Sequence, residues 1–190
     1  MTDTAQTETS RSYQIFIHAP AETYALGQAL GRLLRPGQTV ALHGDLGAGK
    51  TLLTQGIAAG LGITARVTSP TFMLVNEYTT PDQHRLIHID SYRLGDQNIT
   101  ADLDAATFGL EEILDRDDAI VVIEWAERVA ALLPADYLQI TIDQPETDAT
   151  ARAITLKPHG PISRAVLQSL IAESVGANWA NPKARPQSAT

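Results

Sequence analysis

Apolar positions along this chain fall into short runs and helical stripes. Tyr13 to His18 alternates loosely and predicts a short strand. From Ala21 to Leu34, the residues Leu26, Leu30, Leu33 and Leu34 recur at helical spacing and predict an amphipathic helix, entered through Pro20 and stopped by Pro36-Gly37. Thr39 to His43 is a short apolar strand, and Lys50 to Leu61 reads as a second helix ended near Gly60 and Gly62. Phe72 to Tyr78 and Leu86 to Asp90 read as strands joined by a hairpin through TTPDQHR. Residues 95–116 are partly helical on the spacing of Leu110, Ile113 and Leu114. Ala119 to Trp125 is the most strand-like run, and its unbroken apolar character fits a strand covered on both faces. A short helix over AERVAALL follows, up to Pro134. Tyr137 to Asp143 and Arg152 to Lys157 predict two late strands, and Ser163 to Ser174 an amphipathic helix. The alternation of strands and helices predicts an α/β fold. It would fill residues 13–160, between a disordered lead-in over 1–12 and a C-terminal helix and loose tail over 161–190.

The 190 residues suit one domain, and 44% apolar residues supply a core. The net charge of −8 argues against tight direct binding of nucleic acid, where cationic side chains must displace counterions from phosphates. With no cysteine, a disulfide scaffold, a thiol nucleophile and a Cys-ligated metal are excluded. No apolar run approaches the roughly 18–20 residues that span a bilayer. The polar start MTDTAQTETSRS lacks the apolar stretch of a secretory signal, so the expected location is cytoplasmic, away from membranes.

The chemistry concentrates at Gly44-Asp45-Leu46-Gly47-Ala48-Gly49-Lys50-Thr51, which fits G-x-x-x-x-G-K-[ST] between an apolar strand and a helix. Glycines let successive backbone N–H groups point inward, where they and the helix N-terminus hold phosphate oxygens. Lys50 adds a compact cation, and Thr51 a hydroxyl for Mg²⁺. The chain has 11 Arg and three Lys, and Lys50 is the only Lys before residue 157. A Mg²⁺–nucleotide site also needs carboxylates. Asp90 and Glu124 stand at the ends of apolar strands, while Asp45, between glycines, fits turn chemistry.

Four stretches in order, HGDLGAGKT (43–51), VTSPTFMLVNEY (67–78), HIDSYRL (88–94) and VVIEWAER (121–128), resemble the TsaE (YjeE) family, the ATPase subunit of bacterial tRNA threonylcarbamoyladenosine synthesis. The resemblance implies a P-loop NTPase fold with a mainly parallel central sheet, antiparallel additions and flanking helices. It implies that Gly44, Asp45, Leu46, Gly47, Ala48, Gly49, Lys50 and Thr51 bind ATP phosphates, with Thr51 and Glu124 as Mg²⁺ ligands. Asp90 matches an acid needed for hydrolysis, making Asp90, Lys50 and Glu124 the catalytic set. Ser69, Pro70 and Thr71 match a nucleotide-sensing loop, with Thr71 at the nucleotide. Thr23 and Arg152 match positions near base and ribose, and Tyr92 and Arg93 fall in the motif without a role. The implied cofactors are ATP and Mg²⁺. The implied partners are TsaB and TsaD, which would hold tRNA, so that this chain meets tRNA only indirectly.

Other residues read more plainly. His18, His43, His84, His88 and His159 read as packing side chains, and Trp125 as a core or edge aromatic. The alternative reading is a small-molecule or nucleotide kinase with Asp90 as base. Such enzymes close an arginine-rich lid over the phosphates, and residues 95–118 contain only Arg116. Slow hydrolysis by the isolated subunit is expected, with the site completed by a partner.

Overall fold

The computed structural model describes residues 12–70, 74–95, 109–145, 148 and 150–174. The lead-in up to residue 11 and the tail from 175 lie outside the described residues. Seven strands form one sheet: β1 (Tyr13–Ile17), β2 (Thr39–His43), β3 (Val75–Thr79), β4 (Arg85–Asp90), β5 (Ala119–Glu124), β6 (Leu138–Asp143) and β7 (Arg152–Pro158). Their spatial order is β1-β7-β6-β2-β5-β4-β3. The centre, β6-β2-β5-β4, is parallel, while β1–β7, β6–β7 and β3–β4 pair antiparallel. The antiparallel share exceeds the expectation, and the sheet is mixed. Strand pairing beyond the parallel centre depends on which edge each hairpin returns to, and side-chain patterning does not encode that.

Helices cover both faces. On one side lie α1 (Pro20–Leu33), α2 (Lys50–Gly60) and α4 (Pro161–Ser174), whose Leu26, Leu30, Leu53, Ile57, Leu167 and Leu170 join the main core. On the other side lie α3 (109–114) and the 3-10 segment Ala126–Leu132. Alternation along the strands sorts their side chains. Val40, Leu42, Leu86, Ile120 and Val122 face the α1–α2 side, and Ala41, Ile87, Ile89, Val121 and Ile123 face the other. By the same period, His88, Asp90 and Glu124 point toward α2.

The expected helix over AERVAALL is a kinked 3-10 segment, broken at Val129 (φ −123°, ψ 23°). Its buried residues, Ala126 and Val129, are three apart, the spacing a three-residue turn brings to one side. Helices α1 and α2 meet backbone to backbone. A Cβ on Gly27 would lie 2.4 Å from the Leu53 carbonyl oxygen, and one on Gly56 2.3 Å from that of Tyr24. This seam fixes α2, and with it Lys50, against the helix that carries Thr23.

Candidate functional site: a glycine-rich loop facing two strand-end acids

Strand β2 runs into the loop at Gly44, and the loop ends at Gly49, the N-cap of α2. Gly44 (φ 133°), Gly47 (φ 78°) and Gly49 (φ 113°) all take left-handed backbone that side chains avoid. Gly44 could not carry a Cβ on space grounds either, since it would meet the Ile142 carbonyl oxygen at 2.4 Å. No side chain caps Gly49, and the first turn of α2 holds no acid. The helix therefore presents its N-terminal dipole to the loop's concave side. Thr23 lies beside this turn, its Cγ2 3.9 Å from where a Gly49 Cβ would stand. Leu46, at the loop's tip, is 83% exposed.

Lys50 is 5% exposed. Its ammonium donates to the carbonyl oxygens of Gly44 and, at 2.9 Å, Asp45. It also sits 3.6 Å from the centroid of the Trp125 ring, a cation–π contact favoured by the ring's negative face. Burial pushes the Lys50 pKa below its ordinary value, against the opposing pull of Glu124, Glu127, Asp90 and Asp45. Trp125 reaches the ammonium because its own backbone is left-handed (φ 59°, ψ 39°). Its ring packs on Tyr92 at 5.0 Å, and Arg128 lies over both rings.

The two acids stand side by side, Asp90 opposite Glu124 in the parallel β4–β5 register. Both are buried. Glu124 Oε2 accepts from the Thr51 hydroxyl at 2.9 Å, and Oε1 faces His88 Nε2 at 2.8 Å. Asp90 accepts from the Ser69 hydroxyl and from the Tyr92 amide, which ties the Ser69-Pro70 loop to this carboxylate. Beside the loop, His43 Nδ1 lies 3.3 Å from Glu127. Burial lowers the His43 pKa, with Glu127 raising it and Lys50 lowering it.

The structure thus brings together Gly44 to Thr51, Thr23, Asp90 and Glu124. Arg152 is less close: it begins β7, two strands from β2 at the loop's end of the sheet, and its guanidinium bonds the Ala151 carbonyl. Thr71 lies outside the described residues. Two residues read as packing groups prove to belong to the site, His88 on Glu124 and Trp125 on Lys50. The H-x-D spacing was a usable signal for His88, because residues two apart on a strand share a face. Nothing in the sequence signalled a left-handed tryptophan.

A nucleotide and Mg²⁺ fit these residues: a cradle of left-handed glycines, an uncapped helix start, a buried ammonium, and a hydroxyl already paired to a carboxylate. The profile of "Threonylcarbamoyl adenosine biosynthesis protein TsaE" matches residues 17–154. The chain is 39% identical over 143 residues to a Nostoc sp. protein named "tRNA threonylcarbamoyladenosine biosynthesis protein TsaE", covering 75% of this chain and 85% of that one. It is 38% identical over 129 residues to the Bacillus subtilis protein of the same name, covering 68% and 76%. Among solved structures, Bacillus subtilis YdiB superposes with a TM-score of 0.69 at 30% identity, over 88% of this chain and 99% of that one. The fold defines an α/β protein with a mixed seven-stranded sheet, flanking helices and a glycine-rich loop at one end of the sheet. The chain belongs to the TsaE family.

Proposed function

We propose that this chain is an ATP-binding, ATP-hydrolysing subunit of P-loop type that serves threonylcarbamoyladenosine modification of tRNA with TsaB and TsaD. The observation that carries the reading is the convergence of the glycine cradle, buried Lys50 and the Thr51–Glu124 pair on one end of the sheet. The family membership and the relatives' names support the pathway.

In this reading backbone amides of the glycine-rich loop bind phosphate oxygens, and Lys50 turns from the Gly44 and Asp45 carbonyls toward them. The exchange is inexpensive because the ammonium is already largely removed from water and trades one set of oxygens for another. Thr51 and Glu124 would hold Mg²⁺, which neutralises phosphate charge when bound. Thr51 donates its proton to Glu124 and keeps oxygen lone pairs for a cation. Asp90, held by Ser69 and the Tyr92 amide, would orient a water. Because Ser69 belongs to the loop that precedes Thr71, movement of that loop re-aims Asp90. That link gives a partner a way to speed turnover.

The test is phosphate release from ATP by the chain alone, with TsaB and TsaD, and with Mg²⁺ withheld. Release that is slow alone, faster with the pair and lost without Mg²⁺ is expected. ATP-dependent phosphorylation of a metabolite in place of phosphate release would replace this reading with a kinase.

A further inference from the structure

Strand β4 places an imidazole where an apolar side chain would pack. His88 is fully buried, aligned with Val122 in the β4–β5 register and on the same face as Leu86. Its Nε2 lies 2.8 Å from Glu124 Oε1. A carboxylate only accepts, so Nε2 carries the proton and donates. Thr51 donates to the other oxygen at 2.9 Å. The carboxylate is gripped from both sides, by β4 and by the first turn of α2. The cost of this arrangement is visible in the same ring: Nδ1 is buried with no hydrogen-bond partner among the described residues. A leucine would fill the space without that desolvation cost. The hydrogen bond to Glu124 is what the imidazole contributes.

We propose that His88 is a positioning residue that fixes the rotation of the Glu124 carboxylate, keeping Oε2 beside Thr51. This rests on the nucleotide and metal reading above. His88 touches neither nucleotide nor cation; it acts through Glu124. Carboxylates and their outer hydrogen-bond partners form such pairs wherever a ligand must be aimed. Without the donor, Oε1 loses its anchor and the carboxylate rotates away from Thr51. The loss should appear in cation-assisted binding and not in phosphate binding itself, because Lys50 is held by the Gly44 and Asp45 carbonyls and hydrogen-bonds neither His88 nor Glu124.

The experiment is calorimetric titration of the full chain with the nonhydrolysable analogue adenylyl imidodiphosphate, with and without Mg²⁺, for wild type, His88→Leu and His88→Gln. Wild type should bind more tightly with Mg²⁺. His88→Leu should lose roughly 10–100-fold of that gain, the usual range for an outer partner of a metal ligand, with unchanged affinity when Mg²⁺ is absent. His88→Gln, whose amide donates from near the Nε2 position, should keep most of the gain. Should His88→Leu not fold, His88→Asn, polar but too short to reach Glu124, carries the same expectation. A His88→Leu protein with the full Mg²⁺ gain overturns the inference alone, as does folded His88→Gln losing as much as His88→Leu. A wild type indifferent to Mg²⁺ overturns the metal reading and this inference together.

Discussion

Lys50 shows how much one side chain can be asked to do. Its ammonium is buried and held by two carbonyl oxygens and an indole ring. Dipoles and a ring face partly replace its lost hydration, and four nearby carboxylates act against the burial that lowers its pKa. Phosphate oxygens, carrying full charge, should displace the neutral carbonyls. Arginine would not substitute, because its planar fork cannot enter a pocket shaped for a point charge. Replacing Lys50 with alanine should therefore weaken ATP binding by about 10–100-fold, the equivalent of a lost hydrogen bond to a charged group. Titration calorimetry reads this directly, and an unchanged Kd would remove Lys50 from the site. The motif made this residue legible. The H-x-D spacing put His88 on the face of Asp90, but its hydrogen-bond partner was not legible, because Glu124 is 36 residues away and meets it only once β4 and β5 pair in register.

At the scale of elements, the strands were legible where burial on both faces leaves an unbroken apolar run. All six residues of β5 are buried, and its expected span differs from the observed one by a single residue. The 3-10 segment after it was less so, because its geometry follows from the left-handed Trp125, a conformation no tryptophan advertises. The α1–α2 seam was present in the sequence as Gly27-x-x-x-Gly31 and Gly56-x-x-x-Gly60. Glycines one helical turn apart leave a groove, but only the fold shows that two such grooves face each other. Gly56→Ala should decide how close that contact is. Helix propensity alone favours alanine by about 1 kcal/mol. A methyl placed 2.3 Å from the Tyr24 carbonyl oxygen forces backbone apart and should cost about 1–3 kcal/mol. A urea midpoint below wild type means that packing wins; a rise would show the seam is loose. Helix α4 depends on a different device. Asp136 accepts from the amides of Ile162 and Ser163 at its start, at 2.7 and 2.9 Å. Burial alone would raise the Asp136 pKa, but the hydrogen bonds from Ser163 and Ile162, with the Arg164 charge, hold it below its ordinary 3.8. A carboxyl with a depressed folded-state pKa stabilises above its unfolded value and loses that contribution as pH falls through the folded one. Asp136→Ala should thus cost about 0.5–2 kcal/mol at neutral pH, as for a lost helix cap. The gap from wild type in urea midpoints should narrow as pH drops below 3.8.

For the molecule as a whole, charge and architecture point the same way. The sheet gathers its chemistry at one end, where β2, β4 and β5 deliver the loop and both acids, and α4 closes the core against α1, β6 and β7. That end is rich in carboxylates: Asp45, Asp90, Glu124 and Glu127 all act on Lys50. In the proposed reading a triphosphate would enter such a site by meeting backbone amides and one ammonium directly. A polyanion the size of tRNA must approach the whole surface, and the net charge of −8 opposes it over the Debye length of about 8 Å at physiological salt. A protein that grips tRNA releases counterions through many cationic contacts, and this chain has 14 basic against 22 acidic residues. The expected result is that the chain alone binds tRNA more weakly than the roughly 10⁻⁴–10⁻⁶ M of ordinary non-specific binders, in a filter-retention or gel-shift assay at physiological salt. Adding TsaB and TsaD should restore retention. If the chain alone retained tRNA, with an affinity falling steeply as salt rises, a basic face would be at work that outweighs the net charge. The indirect role in tRNA modification would then give way to a direct one.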